Sequence, residues 1–242
     1  MLSAESSCRR ACGCSRPRSS GRLCPSFAAG NELHPDSASF WCVWERRESP
    51  ITGGIWASFV KVPEDWQEPV LVGGYIHTGG DSAEPRVIVI SNTEVDTAWV
   101  TWTSHDTDGW HIQYTYQVGD SWYGAWYAVN SPDPIRHMRL GRGSGKCPLL
   151  VWETEGDIYY SEHVDGSWQS PQEVAHSNLL DRNPDIISYA SFPIPVGPWV
   201  CWESVRDGDT AIYGTAMDTF SVGGAGAIRP GPGTPALPAL PG

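Results

Sequence analysis

Three glutamates recur at one place in this chain. Glu45, Glu153 and Glu203 each follow directly on a tryptophan that closes a short apolar run, and Thr103 holds the same place in a fourth run. Residues at a fixed place in a repeat occupy equivalent heights in the repeated unit. Carboxylates so placed can accept hydrogen bonds from sugar hydroxyls or hold a cation, and they can equally accept from turns and neighbouring strands. A glycosidase pair would need two of them about 5–10 Å apart. Guanidinium groups suited to anionic ligands stand at Arg46, Arg47, Arg86, Arg136, Arg139, Arg142, Arg182 and Arg206, at spacings that single out no three. Ten of the 13 tryptophans fall into two recurrent series, and Trp56, Trp110 and Trp126 fall outside them. Those three are freer to be exposed, and Trp110, directly after the turn signal Asp108-Gly109, is the first candidate for a stacking platform.

Other motifs do not carry chemistry. Gly141-Arg142-Gly143-Ser144-Gly145-Lys146 resembles a phosphate loop, but Leu140 and Cys147 stand where Gly and Ser or Thr are needed. The seven histidines show no metal-ligand pattern, and no Gly-x-Ser-x-Gly elbow supplies a nucleophile. Cys8, Cys12, Cys14 and Cys24 lack both a CxxC pair and a second ligand cluster, so neither a metal site nor a disulfide framework is expected. Cys42 and Cys201 read as small buried hydrophobes. No cofactor is called for.

The elements that position these groups must come from 242 residues with 40% hydrophobic and 18% charged residues, 26 Gly and 20 Pro. This turn-dense composition points to an all-β chain. The net charge of −12 includes +4 from five Arg and one Glu within residues 1–30, leaving −16 for the rest, which excludes nucleic acid as a main partner. Only two Lys are present and no run of 18 apolar residues, so neither a polybasic membrane patch nor a spanning helix is expected. Residues 1–32 read as a disordered or non-native leader without the apolar core of a signal peptide. Residues 221–242, where Gly and Pro make 11 of 22, read as an extended tail.

Between them one element is written four times: Phe40-Trp41-Cys42-Val43-Trp44-Glu45, Ala98-Trp99-Val100-Thr101-Trp102-Thr103, Pro148-Leu149-Leu150-Val151-Trp152-Glu153 and Pro198-Trp199-Val200-Cys201-Trp202-Glu203. The second landmark residues fall at 44, 102, 152 and 202, so the spacings are 58, 50 and 50. Ahead of three of them come Glu84-Pro85-Arg86-Val87, Asp133-Pro134-Ile135 and Asn183-Pro184-Asp185-Ile186. After each comes a third run: Ile55-Trp56-Ala57, Ile112-Gln113-Tyr114, Ile158-Tyr159-Tyr160 and Ile212-Tyr213-Gly214. Trp66, Trp122 and Trp168 mark a fourth. Runs apolar on both alternating faces must be covered on both sides. Repeated with wetter outer strands, they describe four-stranded antiparallel blades of a β-propeller over residues 33–220, an incomplete set of about four. A β-sandwich would not require the repetition.

The sequence Asn-Pro-x-Ile, Trp-Val-x-Trp-Glu, Asp-Ile-Tyr-Tyr-Ser and Asp-Gly-Ser-Trp resembles the repeat of bacterial sialidase-like β-propellers of the BNR or Asp-box type, over about residues 33 to 218. The resemblance implies a propeller, commonly six-bladed in that superfamily, in secreted or cell-surface proteins that often handle carbohydrate. Asp165-Gly166-Ser167-Trp168 only approximates the Asp box, and the Arg-Ile-Pro signature of catalytic sialidases is absent.

The leading reading is therefore a non-catalytic propeller module that binds glycans or another surface ligand. A sialidase-like exo-glycosidase and a structural or protein-interaction propeller are the alternatives. The expected binding set is Glu45, Arg46, Trp110, Glu153, Glu203 and Arg206, because the segments after the repeated Trp-Glu differ most among the copies. Blades at the two ends of an incomplete set would expose apolar faces, so self-association is expected as well.

Overall fold

The computed structural model describes residues 25–30, 39–49, 51–61, 64–76, 83–91, 96–143, 147–175, 180–187, 197–206 and 209–217. The cysteines at 8, 12, 14 and 24, the 144–146 part of the glycine-rich loop and the tail lie outside them. Among the described residues there are strands and no helix, hence no helix long and apolar enough to cross a membrane. The chain divides into two compact units, Met1–Ile135 and Arg136–Gly242.

In the first unit, β1 (Ser26–Gly30), β2 (Ser39–Arg47), β3 (Thr52–Lys61) and β4 (Val70–Ile76) form blade 1. Blade 2 is built of β5 (Arg86–Ser91), β6 (Asp96–Asp106), β7 (Gly109–Val118) and β8 (Ser121–Ser131). In the second unit, β9 (Arg136–Arg142), β10 (Pro148–Thr154) and β11 (Asp157–Val164) carry β12 (Ser167–Trp168) and β13 (Gln172–Ala175) on the outer side of β11, making blade 3. Blade 4 comprises β14 (Asp181–Ile187), β15 (Trp199–Arg206) and β16 (Asp209–Ala216). Every pairing is antiparallel, and apart from β13 each strand pairs with its neighbour in sequence. Four such meanders are β-propeller blades.

The repeat keeps its register. Glu45 faces Ile55, Thr103 faces Ile112, Glu153 faces Ile158 and Glu203 faces Ile212 across the second and third strands. Trp44, Trp102, Trp152 and Trp202 are all buried at equivalent positions. Alternation then gives each second strand two apolar faces. In the first unit, Trp41, Val43 and Ile55 of blade 1 pack against Val87, Val89, Val100 and Trp102 of blade 2. In the second, Leu149, Val151 and Ile158 of blade 3 pack against Val200 and Trp202 of blade 4. So within each unit the face of the first blade carrying Trp41 or Leu149 meets the face of the second blade carrying Trp102 or Trp202. Gly73 fits beneath this packing: a Cβ there would lie 2.5 Å from the Trp102 ring, whose Nε1 donates to the Gly74 carbonyl at 3.2 Å.

Several expectations need revision. Ser26–Gly30, within the segment read as leader, is the edge strand of blade 1, paired to β2. Asp133-Pro134-Ile135 is not the equivalent of the other two Pro landmarks. Leu140 pairs with Leu150 as Val87 does with Val100 and Ile186 with Val200. That register aligns His137 with Glu84 and Asn183, and all three adopt positive φ. Trp66 precedes β4 rather than lying on a fourth strand, and packs on Trp44 and Cys42 from the connection. After the repeated Trp, Arg46 and Arg47 extend β2, and residues 104–106 extend β6 into a hairpin with β7. That hairpin turns on Thr107-Asp108 alone, with the Asp108 N–H donating to Asp106 Oδ1 at 2.8 Å. Cys201 is half-buried rather than buried.

Candidate functional site

Glu45 is 2% exposed and sits between blades 1 and 2. The Tyr75 hydroxyl and the Arg47 Nε, the latter at 2.6 Å, donate to its Oε1, and the Ala83 N–H donates to Oε2 at 3.2 Å. Burial and the bond to Glu45 push the Tyr75 phenol well above its ordinary pKa, so its proton stays on. A backbone N–H from the approach to β5 is thus tied to a carboxylate at the end of β2.

The same arrangement recurs in the second unit. Glu153 Oε2 accepts from the Asn183 N–H of the next blade at 3.1 Å, with His137 Nε2 3.9 Å away. Asn183 also donates its side-chain amide to Glu203 Oε2 at 3.1 Å, where the Arg182 Nε donates at 3.1 Å too. Asn183 therefore bridges the two carboxylates. Their side chains are 12% and 33% exposed, against 3% for Glu45.

Of the other nominated residues, Arg46 lies with its guanidinium 5.5 Å from the Trp56 ring centre, on the opposite face of β2 from Glu45. Trp110 is half-buried and stacks on His105, ring centres 4.5 Å apart and planes within 9°. Arg206 ends β15 opposite Asp209, and its side chain lies outside the described residues. Glu45, Arg46 and Trp110 belong to the first unit and Glu153, Glu203 and Arg206 to the second. Among the described residues no three His, Cys, Asp or Glu side chains gather as metal ligands.

A feature outside that set is an aromatic terrace on blade 2. Trp99, Tyr116 and Tyr123 stand side by side across β6, β7 and β8, and Tyr114 and Trp126 form the next row. Ring centres are 4.7 Å apart for Trp99 and Tyr116, 5.1 Å for Tyr116 and Tyr123, 5.9 Å for Tyr116 and Trp126, and 5.5 Å for Tyr114 and Trp126. The inner rings, Trp99 and Tyr114, are buried, while Tyr123 and Trp126 are 43% and 44% exposed on the edge strand β8. Residues three apart on an unbroken strand point to opposite faces. Here register shifts in the β7–β8 pairing, one of them between Tyr114 and Tyr116, bring Tyr123 and Trp126 onto one face. Gly124 permits it, since a Cβ there would stand 2.8 Å from the Trp126 ring. The aromatic density of residues 122–127 and the exclusion of Trp126 from the repeat were the sequence signals for this feature; the bulge was not visible.

No family model and no curated protein matches the chain, so the sialidase-type resemblance stands on the quoted residues alone. Among solved structures it is similar to a protein assigned as an exo-β-1,3-galactanase from Bifidobacterium bifidum S17, at 12% identity and TM-score 0.45 over 77% of this chain and 65% of that one. It is also similar to an exo-1,5-α-L-arabinanase from a bovine ruminal metagenomic library, at 12% identity and TM-score 0.44 over 83% of this chain and 74% of that one. The chain thus spans just under two thirds of the galactanase. Likeness at this level assigns neither activity nor substrate.

Proposed function

We propose that this chain is a non-catalytic β-propeller module that binds a neutral glycan, with the terrace of Tyr116, Tyr123 and Trp126 as its stacking surface. The observation that carries the reading is the exposure of two large rings on a row anchored by buried ones. Rings held this way lose little entropy on meeting a flat apolar sugar face, and their N–H and O–H groups reach hydroxyls at its rim. A net charge of −12 disfavours an acidic glycan. Trp110, on the same blade, is a further contact in this reading. Glu45 is instead an anchor between blades, its oxygens engaged by groups of the protein itself.

Sialidase-like hydrolysis finds less support. Four guanidinium groups stand beside carboxylates: Arg47 with Glu45, Arg86 with Glu84, Arg139 with Asp185 and Arg182 with Glu203. Tyr75, paired with Glu45, is only 5% exposed. Titration calorimetry and affinity electrophoresis against soluble neutral and sialylated polysaccharides, alongside fluorogenic glycosides, test the proposal. Binding of a neutral glycan without turnover supports it. Turnover would make the protein a hydrolase, and silence in both assays would leave the structural or protein-interaction reading.

A further inference from the structure

The third strand of every blade carries a hydroxyl residue at one place. Ser58 faces Cys42, Thr115 faces Val100, Ser161 faces Leu150 and Thr215 faces Val200, each partner lying two residues before the repeated Trp. In blades 1 to 3 the hydroxyl residue is 1% exposed and donates to a backbone carbonyl of the chain arriving on the outer side. Ser58 Oγ donates to Gln67 O at 2.6 Å, Thr115 Oγ1 to Tyr123 O at 2.7 Å and Ser161 Oγ to Gln169 O at 2.6 Å. The accepting residue is held by its other backbone group as well. The Gln67 N–H donates to the Phe59 carbonyl at 2.8 Å and the Gln169 N–H to the Glu162 carbonyl at 2.9 Å, while Tyr123 pairs with Tyr116. Phe59, Tyr116 and Glu162 each directly follow the hydroxyl residue. Two adjacent residues of the third strand thus grip one residue of the outer chain by its backbone, whatever its side chain is.

Blade 4 has the same two residues in Thr215 and Ala216 on β16. Among the described residues β16 is paired on one side, with β15. There the Thr215 hydroxyl donates to the Ala216 carbonyl at 3.3 Å, so the donor and the acceptor of the grip answer each other. An open strand edge of this kind is a template for one further strand.

Spacing says which strand fits it. The gripped residue lies nine positions after the hydroxyl residue in blade 1 and eight in blades 2 and 3. Eight positions after Thr215 stands Gly223. The residues before it agree: Ser121-Trp122 and Ser167-Trp168 precede the gripped residue in blades 2 and 3, and Ser221-Val222 precedes Gly223, again a serine followed by an apolar residue. Ser221 also lies as far from Trp199 as Ser121 does from Trp99, so blades 2 and 4 keep step to this point.

We propose that Ser221-Val222-Gly223 completes blade 4 as its fourth strand. The Thr215 hydroxyl turns from Ala216 to the Gly223 carbonyl, and the Gly223 N–H donates to the Ala216 carbonyl. The grip reads only the backbone, so glycine at its centre loses neither bond. The chain's own continuation is selected over a strand from another molecule because it meets the grip at the spacing used in blades 2 and 3, without the entropy cost of association. The residues that follow Gly223 are thereby tethered to the outer edge of blade 4.

Amide exchange followed by nuclear magnetic resonance on the full chain tests it. The Gly223 N–H is expected to exchange about tenfold or more slowly than its intrinsic rate, with a cross-strand Overhauser contact to the Ala216 backbone. Thr215→Val keeps the side-chain shape without the hydroxyl and should reduce that protection about fivefold, whereas Thr215→Ser should retain it, with the amides of β15 unchanged in both. A wild-type Gly223 that exchanges at its intrinsic rate, or lacks the contact to Ala216, overturns the proposal. Protection centred on Gly224 overturns the register, and equal protection in Thr215→Val overturns the role of the hydroxyl. Protection that grows with protein concentration would assign the strand to a second copy and likewise overturn it.

Discussion

Replacing the three repeated glutamates by alanine should cost stability in the order of their burial, not equally. Removing Glu45 leaves the Tyr75 hydroxyl and the Ala83 N–H without their acceptor in a region where Tyr75 is 5% and Ala83 0% exposed. A buried donor left unsatisfied costs about 1–3 kcal/mol, so two give roughly 2–6 kcal/mol. Arg47, whose side chain is 36% exposed, can turn to solvent and adds little. For a chain of this length about 1 kcal/mol moves the melting temperature by roughly 2–4 °C, which places Glu45→Ala about 5–20 °C below the wild type. Glu153→Ala removes the acceptor of one backbone N–H and should fall by about 1–3 kcal/mol. Glu203→Ala breaks a pair whose side chains are 33% and 41% exposed, worth about 0–1 kcal/mol. Melting followed by tryptophan fluorescence and circular dichroism measures all three. Equal losses, or a larger loss for Glu203 than for Glu45, would refute the argument that Glu45 and Glu153 act as acceptors for the following blade.

Gly73→Ala should destabilise the first unit by about 1–3 kcal/mol, because the added methyl meets the Trp102 ring; an unchanged urea midpoint would show that the indole can move. Trp126→Ala should weaken neutral-glycan binding by about 1 kcal/mol or more, roughly fivefold, with the melting temperature held, and calorimetry on the variant checks it. Asp106 sits below its ordinary pKa because the His111 ring and the Asp108 N–H bond its carboxylate. Its stabilising contribution is therefore complete above the unfolded value of about 3.9 and is lost as pH falls through the lower folded value. Melting temperatures of the wild type and Asp106→Asn across that acid range should converge as the pH falls; a constant difference would refute the assignment.

The repeat could be read without a structure because its period is carried by residues whose burial is obligatory. Four tryptophans at spacings of 58, 50 and 50, each in a run apolar on both faces, demand sheets covered on both sides, and all four are buried in one register. The equivalence of Glu45, Glu153 and Glu203 could be read for the same reason. Their different situations could not. Burial of a carboxylate depends on whether another blade lies against it and offers an N–H, and that is a property of packing across sheets rather than of spacing along the chain. The same holds for Trp199 and Ile212, written like their buried counterparts and left exposed by the absence of a covering sheet among the described residues. His137 fell out of the sequence alignment because the β9–β10 hairpin is shorter than its counterparts, and only strand pairing fixes register across loops of unequal length. The aromatic terrace depended on shifts in strand pairing that reverse the face of one residue, and such a shift belongs to the pairing of two strands, not to spacing along one.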